Sequence, residues 1–197
     1  MLEQGAQVAG YDVDAKGILE RYNLLGQFDV IRADILDLKR LTQAVRARDV
    51  VIHLAALSNV EKTRAAGIQA FEINVRGTWC VLEACRSNKL GAVLTASSNH
   101  IYGHQDEMPV KEDAAFRQLD TYSATKTMAD YAARAYAHNY GVPTAIIRNT
   151  NCFSPYDPHD DHIVPGTILS VLRGEQPIIK STWKTKKSYL YVDDVVY

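Results

Sequence analysis

Val50-Val51-Ile52-His53-Leu54 is the stretch that decides the fold class. Its β-branched, nearly continuous apolar run is typical of a strand buried on both faces of a parallel sheet. Ala92–Ala96 and Thr144–Ile147 are further strand candidates, and each is separated from the strand before it by a helical segment. This alternation predicts βαβ units and therefore a parallel, doubly wound α/β sheet.

The segments around these strands continue the alternation in both directions. Two short strands are predicted near the start, at Gln7–Tyr11 and Asp29–Arg32, and the second is followed by a helix to about Ala47. The other predicted elements are helices over Ile68–Asn88, Tyr122–Asn139 (capped by Asp120 or Thr121) and Ile163–Arg173, and short strands at Ile178-Ile179 and Tyr189–Val192.

Polar or small residues follow the predicted strands at the point where each strand ends. Ligands of open parallel sheets bind beyond the carboxyl ends of the strands, so these residues are candidates for a binding site. They are Asp12, Asp34, Ala55-Ala56, Ser97-Ser98 and Asn149–Asn151.

The composition excludes several classes of protein. The 197 residues carry 22 Lys and Arg against 23 Asp and Glu, and this net charge of −1 argues against a generally basic nucleic-acid binder. No apolar run approaches the roughly 18 residues of a membrane span, so no membrane contact is predicted. Cys80, Cys85 and Cys152 are odd in number and lack CxxC spacing. Reduced thiols in a cytoplasmic protein are therefore expected, without a disulfide framework or a zinc site.

Tyr122-Ser-Ala-Thr-Lys126 is the strongest candidate for chemistry. Residues four apart on a helix share a face, and a lysine ammonium near a phenol lowers the phenol pKa from its usual value near 10. Such a pair can accept a proton from a hydroxyl while hydride leaves the same carbon. The pentapeptide is short, and by itself it fits an ordinary exposed helix equally well.

Five further motifs stand around this pair in a fixed order. They are His53-Leu-Ala-Ala56, Asn74-Val-Arg-Gly-Thr78, Thr95-Ala-Ser-Ser-Asn-His-Ile-Tyr-Gly103, Arg148-Asn-Thr-Asn-Cys-Phe-Ser-Pro155 and Tyr189-Leu-Tyr-Val-Asp-Asp-Val-Val196. With them the chain resembles, from about Val8 to Tyr197, the extended short-chain dehydrogenase/reductase family of NAD-dependent nucleotide-sugar epimerases and dehydratases. The resemblance implies a Rossmann-like NAD-binding domain over residues 1–150 and part of a smaller substrate-binding region over 151–197. It also implies a nucleotide-sugar substrate and a homodimer built on the helices Ile68–Asn88 and Tyr122–Asn139.

The resemblance assigns cofactor roles to residues at the strand ends. Asp12 matches the acidic residue that takes the adenosine ribose hydroxyls, which favours NAD over NADP because a carboxylate repels a 2′-phosphate. Taken alone, Asp12 also fits a turn, and Asp34 also fits a helix N-cap. Asn74 matches a buried asparagine with a structural role. The other implied contacts are Asp34 and Ile35 on adenine, Leu54, Ala55 and Ala56 along the cofactor, Thr150 near the nicotinamide, and Tyr122 and Lys126.

The implied catalytic residues are Ser98, Tyr122 and Lys126. Tyr122 would be the base, Lys126 its pKa-lowering partner, and Ser98 a proton relay. Ser98 is preferred over Ser97 because it stands four residues before Tyr102. The implied substrate contacts are Ser98, Asn99, His100, Asn151 and Lys187; Lys187 forms with Lys184 and Lys186 either a phosphate-binding patch or a solvated loop.

The sequence departs from the family in its phosphate loop. The family opens with a strand, a GxxGxxG loop and a helix, whereas no two of the 11 glycines here are three apart. Met1–Gly5 looks like the end of that helix, so the chain is expected to begin after the loop, and it stops at Tyr197 where the family continues. The strands at Gln7–Tyr11 and Val50–Leu54 are then expected to have unpaired edges, and NAD binding is expected to be weak.

The second departure concerns the reaction. Family dehydratases commonly place Asp and then Glu after the catalytic hydroxyl, where this chain has Asn99 and His100. An asparagine cannot donate a proton as a general acid, which favours 4-epimerisation through a 4-keto intermediate. The open alternatives are a 4,6-dehydratase, a simple dehydrogenase or reductase, and a non-catalytic remnant. The run from His159 to His162 suggests a metal site, but prolines flank it and no metal is expected.

Overall fold

The computed structural model describes residues 1–14, 19–20, 26–155, 157, 159–160, 162–178 and 186–196. The chain divides into two compact units, Met1–Arg148 and Asn149–Tyr197.

The first unit contains two parallel sheets. β1 (Ala9–Asp12) pairs with β2 (Asp29–Arg32), and β3 (Val50–His53), β4 (Ala92–Ala96) and β5 (Thr144–Ile147) form a second sheet in that order. Over the described residues, β1 and β3 are each paired along one edge only. The α/β Rossmann-like fold and the unpaired edges of these two strands are as predicted from the sequence.

The helices of the first unit agree with the prediction except at two places: the helix Val60–Ala65 was not predicted, and the long helix after it is not continuous. Predicted as one element over Ile68–Asn88, it is divided by a π-helical turn at Glu72–Arg76. The full set is α1 (Leu38–Ala44), α2 (Val60–Ala65), α3 (Gly67–Phe71), the π-helical turn, α4 (Gly77–Ser87) and α5 (Thr121–Tyr140), with 3-10 turns at Leu2–Gln4 and Asn99–Tyr102. Asp120 caps α5, because its side chain accepts a hydrogen bond from the Ser123 amide.

The hydrophobic core lies between the second sheet and the helices α4 and α5. Leu82, Cys85, Val93 and Ala133 are at its centre, so the expected packing role of Cys85 is confirmed. Such burial supplies most of the favourable free energy of folding.

Within the part of the chain that the structure describes, one face of β3 is exposed, which contradicts one prediction. The run at 50–54 predicts a strand buried on both faces, yet Val50 is 51% exposed and Ile52 is 39% exposed. Residues alternate between the two faces of a strand, so Val51 and His53 face the core while Val50 and Ile52 point away from it. The strand is therefore covered fully on one face only.

The second unit is smaller and also parallel. β6 (Asn151–Phe153) pairs with β7 (Tyr189–Tyr191), and the helices are α6 (Ile163–Leu172) and α7 (Val192–Val196). β6 was not predicted, and the strand predicted over Tyr189–Val192 ends one residue early because Val192 begins α7. Ile178 lies outside any strand, and Ile179 is outside the described residues.

None of the helices formed by the described residues combines the length and apolar character needed to cross a bilayer.

Candidate active site

Ser98 and Tyr122 face each other, and the Ser98 hydroxyl acts on the phenol as a hydrogen-bonding group that lowers its pKa. Ser98 also caps the turn Asn99–Tyr102, where its Oγ accepts from the His100 amide at 3.2 Å. The neighbouring Ser97 hydroxyl is buried without a hydrogen-bond partner among the described residues. The geometry thus favours Ser98 over Ser97 as the partner of Tyr122.

The surroundings of Tyr122 within this chain raise the pKa of its phenol. Burial raises its pKa above 10.0, the Ser98 hydrogen bond lowers it in part, and the Asp120 carboxylate raises it further. The expectation that Lys126 lowers this pKa is therefore wrong for the chain by itself, because desolvation of the phenolate dominates. The His100 ring meets the Tyr122 ring edge-on, with 5.8 Å between centroids.

Lys126 lies one turn of α5 beyond Tyr122 and is buried. Its Nζ donates to the Ala96 carbonyl at the end of β4, at 2.8 Å. Burial lowers its pKa from 10.5 to about 8. The Lys126 ammonium is thus held at the carboxyl end of the sheet. Because burial disfavours the charged form, the charge on Lys126 lowers the free energy of unfolding.

We expect Lys126→Met to stabilise the folded chain in a pH-dependent way. The unfolded lysine keeps a pKa of 10.5 and the folded one is about 8, so the charged form penalises folding below pH 8. At about 1.36 kcal/mol per pKa unit, the penalty is roughly 3 kcal/mol at neutral pH. It fades as the pH rises from 8 to 10.5, because the unfolded chain then loses its extra proton.

Urea unfolding across this pH range measures the difference between the Met variant and the wild type. The exposed Lys39→Met is the matched control, with a difference that stays flat with pH. If the difference in unfolding free energy between Lys126→Met and the wild type also did not change with pH, burial would not disfavour the Lys126 ammonium and the prediction would be wrong.

Asn74 connects the loop after β3 to α5. Its side-chain oxygen accepts from the Leu57 amide at 2.7 Å, and its Nδ2 donates to the Leu57 carbonyl at 3.1 Å and to the Thr125 hydroxyl at 2.9 Å. The π-helical turn of residues 72–76 places this side chain, as π-bulges often do near functional sites. The predicted structural role of Asn74 agrees with these contacts.

His53 is buried beside this network. Its Nε2 lies 3.0 Å from the Thr78 hydroxyl, which donates to the Asn74 carbonyl at 2.6 Å. A hydroxyl has one proton to give, so the histidine Nε2 is the donor to Thr78. Burial, with the nearby Lys126 charge, lowers the pKa of His53 to about 4 and keeps the ring neutral at pH 7.

The acidic residues after β1 and β2 form a second polar region. Asp12 is exposed, and its Oδ1 accepts from the Asp14 amide at 2.8 Å, so it forms a turn while one oxygen stays open. Asp34 accepts from the Leu36 amide at 2.9 Å, and the Tyr11 hydroxyl donates to its carbonyl at 2.9 Å. Asp34 is not a helix N-cap, because Asp37 caps α1 instead.

Ile35 is buried against the helix after the π-helical turn. A Cβ at Gly77 would overlap its side chain, so the glycine of Asn74-Val-Arg-Gly-Thr78 is required by this close approach. On the other side of the loop, Asp34 lines an open cleft of ≈ 540 Å³ that continues along residues 65–73. In the segment that follows β3, Leu54 is exposed and Ala55 and Ala56 are half-buried.

The remaining candidates lie in the second unit. Thr150 donates through Oγ1 to the Ser188 carbonyl at 2.8 Å, and Asn151 and Lys187 are exposed. Lys184 lies outside the described residues. In the run from His159 to His162, His162 Nδ1 lies 2.8 Å from the Asp157 carboxylate. Within the described residues, no group of three His, Cys, Asp or Glu side chains is placed to hold a metal ion.

The sequence reasoning assigned no role to a buried ion pair next to the site. Asp130, on α5, is fully buried and binds Arg148, the residue after β5. The sequence does indicate such a pair, because Tyr122, Lys126 and Asp130 follow one another at intervals of four residues and therefore share one helix face. A charged residue on such a face needs a buried partner.

Comparison with known proteins decides the family. The family model described as the NAD dependent epimerase/dehydratase family matches residues 1–197. The chain belongs to this family. A curated dTDP-glucose 4,6-dehydratase of Mycobacterium tuberculosis is 30% identical over 168 residues, which are 84% of this chain and 50% of that protein. The chain spans about half the length, or less, of the curated relatives it matches.

Solved structures of both reaction classes resemble this family member. The dTDP-glucose 4,6-dehydratase of Streptomyces venezuelae, bound to NAD, has a TM-score of 0.85 at 26% identity and covers 96% of this chain and 60% of its own. The UDP-glucuronic acid 4-epimerase of Bacillus cereus, in complex with NAD, has a TM-score of 0.86 at 25% identity. The match covers 99% of this chain and 64% of the epimerase chain. The family resemblance predicted from the sequence is confirmed, and both epimerases and dehydratases are among the structures that this chain resembles.

Proposed function

We propose that this chain carries the catalytic residues of an NAD-dependent nucleotide-sugar epimerase/dehydratase that oxidises the sugar at C4. The observation that carries the proposal is the Ser98 hydroxyl facing the Tyr122 phenol, with the buried Lys126 ammonium one turn away. A proton-accepting phenol, a hydroxyl relay and a fixed cation are the groups that oxidation of a carbinol needs.

The residues at the strand ends suit NAD. The open carboxylate of Asp12 fits a ribose diol, and Asp34, at the mouth of its cleft, fits the adenine amine together with Ile35. The small Ala55 and Ala56, after Leu54, allow close backbone approach. Tyr122, Lys126 and Thr150 are the proposed contacts on the nicotinamide side. When bound, NAD accepts hydride from the carbinol carbon and places a positive charge near the phenol.

The protein's own groups move the proton. Tyr122 takes it from the C4 hydroxyl, and Ser98 hydrogen-bonds the reacting oxygen and passes the proton between substrate and phenol. The Lys126 ammonium favours the phenolate once its site is closed from water. Tyr122 would return the proton to the C4 oxygen when the hydride taken up by the cofactor is given back to C4, which regenerates the carbinol. We place the remaining contacts to the nucleotide sugar at Asn99, His100, Asn151 and Lys187.

Asn99 favours 4-epimerisation over dehydration. Loss of water from the 4-keto sugar requires a general acid, and an amide cannot supply the proton. His100 is the only titratable side chain of this residue pair. A 4,6-dehydratase is the second candidate, because the first curated relatives carry that name.

Product analysis tests this proposal. A longer polypeptide, in which a strand and a GxxGxxG loop precede Met1 and the substrate-binding region continues past Tyr197, is incubated with saturating NAD and UDP- or dTDP-hexoses, and the sugar is identified by NMR. An inverted C4 centre with no net NADH supports the epimerase, and a 4-keto-6-deoxy sugar supports the dehydratase. Net NADH accumulation supports a simple dehydrogenase, and no turnover with bound NAD supports the non-catalytic remnant.

The helices α4 and α5 are also proposed to form a homodimer interface. Trp79 is 49% exposed and Tyr131 is 55% exposed, and Ala135 is exposed beside Tyr131 on α5. The sequence also places the apolar Val81 and Leu82 on the helix that carries Trp79, but both are buried in the core. The apolar surface is therefore narrower than the sequence indicates, and it is centred on the aromatic residues.

We expect the folded chain to sediment as a dimer at micromolar concentration, and Tyr131→Glu to make it monomeric. A buried carboxylate in an apolar interface lacks a partner and opposes association. Leu38→Glu, which places the same charge on an exposed leucine of α1, is the control that stays dimeric. A monomeric wild type contradicts the interface.

A further inference from the structure

Asp130 and Arg148 form a two-point ion pair beneath the candidate site. Arg148 Nε donates to Asp130 Oδ2 at 2.8 Å, and Nη2 donates to Oδ1 at 3.0 Å. The carboxylate is fully buried, and the Arg148 side chain is largely buried. This is the planar fork geometry that gives arginine–carboxylate pairs their directional strength.

The same guanidinium reaches a third segment of the chain. Its Nη1 donates to the Tyr102 hydroxyl at 2.8 Å and to the Glu112 carbonyl at 2.9 Å. The charge also lies 5.7 Å from the centroid of the Tyr102 ring and 5.1 Å from that of Phe116. Such distances are within the range of favourable cation–π contact.

Arg148 thereby joins the two elements that carry the reacting hydroxyls. Tyr102 ends the turn that Ser98 caps, and Asp130 lies two turns beyond Tyr122 on α5. Ser98 and Tyr122 meet where these elements approach each other. A shift of the turn against the helix changes their separation directly, and Arg148 holds both elements.

Stability alone does not account for this arrangement. Buried ion pairs often contribute little net free energy, because desolvation of both charges offsets their attraction. Arg148 donates four hydrogen bonds to Asp130, Tyr102 and Glu112. These bonds fix the orientation of the three residues more than they add to stability.

We infer that Arg148 and Asp130 are positioning residues that set the geometry between the Ser98 hydroxyl and the Tyr122 phenol. The inference rests on the proposed function for its kinetic consequence and on contacts of this chain for its geometry. Neither residue touches the phenol. The groups that face Tyr122 are the hydroxyl of Ser98, the ring of His100 and the carboxylate of Asp120.

The first readout is the Tyr122 pKa, followed by NMR of tyrosines labelled at the ring carbon that bears the hydroxyl and assigned with Tyr122→Phe. Ser98→Ala gives the reference, since loss of its hydrogen bond raises that pKa. The contacts of Arg148 with Asp130, Tyr102 and Glu112 are called the clamp. The paired variant Asp130→Asn with Arg148→Met, the clamp-free variant, removes it without leaving a lone buried charge. We expect it to raise the Tyr122 pKa to the Ser98→Ala value while the chain stays folded.

A matched ion pair provides the control. Arg86 also binds Glu83 at two points, at 2.9 and 2.6 Å, but it is exposed and meets α5 only at its last turn, over the Tyr140 ring, far from Tyr122. Glu83→Gln with Arg86→Met should leave the Tyr122 pKa unchanged. Arg148→Lys keeps a charge but not the fork, so it should behave like the clamp-free variant.

Kinetics provide the second readout. A displacement on the order of 1 Å in a catalytic group costs about 10²-fold, so the clamp-free variant should lose about that factor in kcat with little change in KM. Absence of turnover in the wild type overturns the proposed function and leaves the NMR test intact. Should the paired variant not fold, Tyr102→Phe decides the inference, with a smaller rise in the same pKa. A wild-type Tyr122 pKa in a folded clamp-free variant, or in Tyr102→Phe, overturns it.

Discussion

Tyr122→Phe is expected to lower turnover of the nucleotide sugar by about 10²–10⁴-fold, the usual contribution of a general base. The substitution removes one oxygen from a half-buried ring and keeps the packing of α5, so the chain should unfold at the same denaturant concentration. Steady-state rates at saturating NAD measure the effect.

Tyr136→Phe is the control for this variant. Tyr136 lies on the same helix and donates to Glu83 at 3.2 Å, away from Ser98 and Lys126. Its loss should leave turnover near the wild-type rate. A Tyr122→Phe variant that keeps more than about a tenth of the activity would exclude the phenol as the base.

Weak NAD binding is the second large effect expected of these 197 residues. A pyrophosphate normally sits on backbone N–H groups at a glycine loop and a helix N-terminus, and the sequence contains no glycines at the required spacing. Charged hydrogen bonds contribute roughly 1.5–3 kcal/mol each. Loss of two or three weakens binding by about two to six decades.

Calorimetric titration measures this directly. The 197-residue chain is compared with a longer polypeptide in which a strand and a GxxGxxG loop precede Met1. Asp12→Asn in the longer polypeptide tests the ribose contact separately from the phosphates. Micromolar or tighter binding by the 197 residues would show that another segment holds the pyrophosphate.

The strands of the first unit were predictable because each is a short, mostly apolar run that ends in polar or small residues, whereas β6 was not predicted. Asp29–Arg32, Ala92–Ala96 and Thr144–Ile147 have the predicted bounds. What covers a strand is not encoded in the strand. The exposure of Val50 and Ile52 depends on which helices pack against their face, and local periodicity does not report that.

The sequence predicts a set of site residues but not their electrostatics. The Tyr122–Lys126 spacing predicts a shared helix face, whereas the phenol pKa depends on burial, which raises it. Asn74, in the π-helical turn, contacts Leu57, which lies 17 residues before it in the chain. Arg148 lies 46 residues from Tyr102, so the clamp between them is visible only in the folded chain.

The central claim is that Tyr122 accepts a proton while NAD oxidises the sugar. Stopped-flow absorbance of NADH tests it most directly, with enzyme in excess over nucleotide sugar and NAD well above its Kd. The account predicts transient NADH in the wild type and its loss in Tyr122→Phe, with Tyr136→Phe unchanged. Product formation without any transient NADH, or NADH formation in Tyr122→Phe at the wild-type rate, would contradict it.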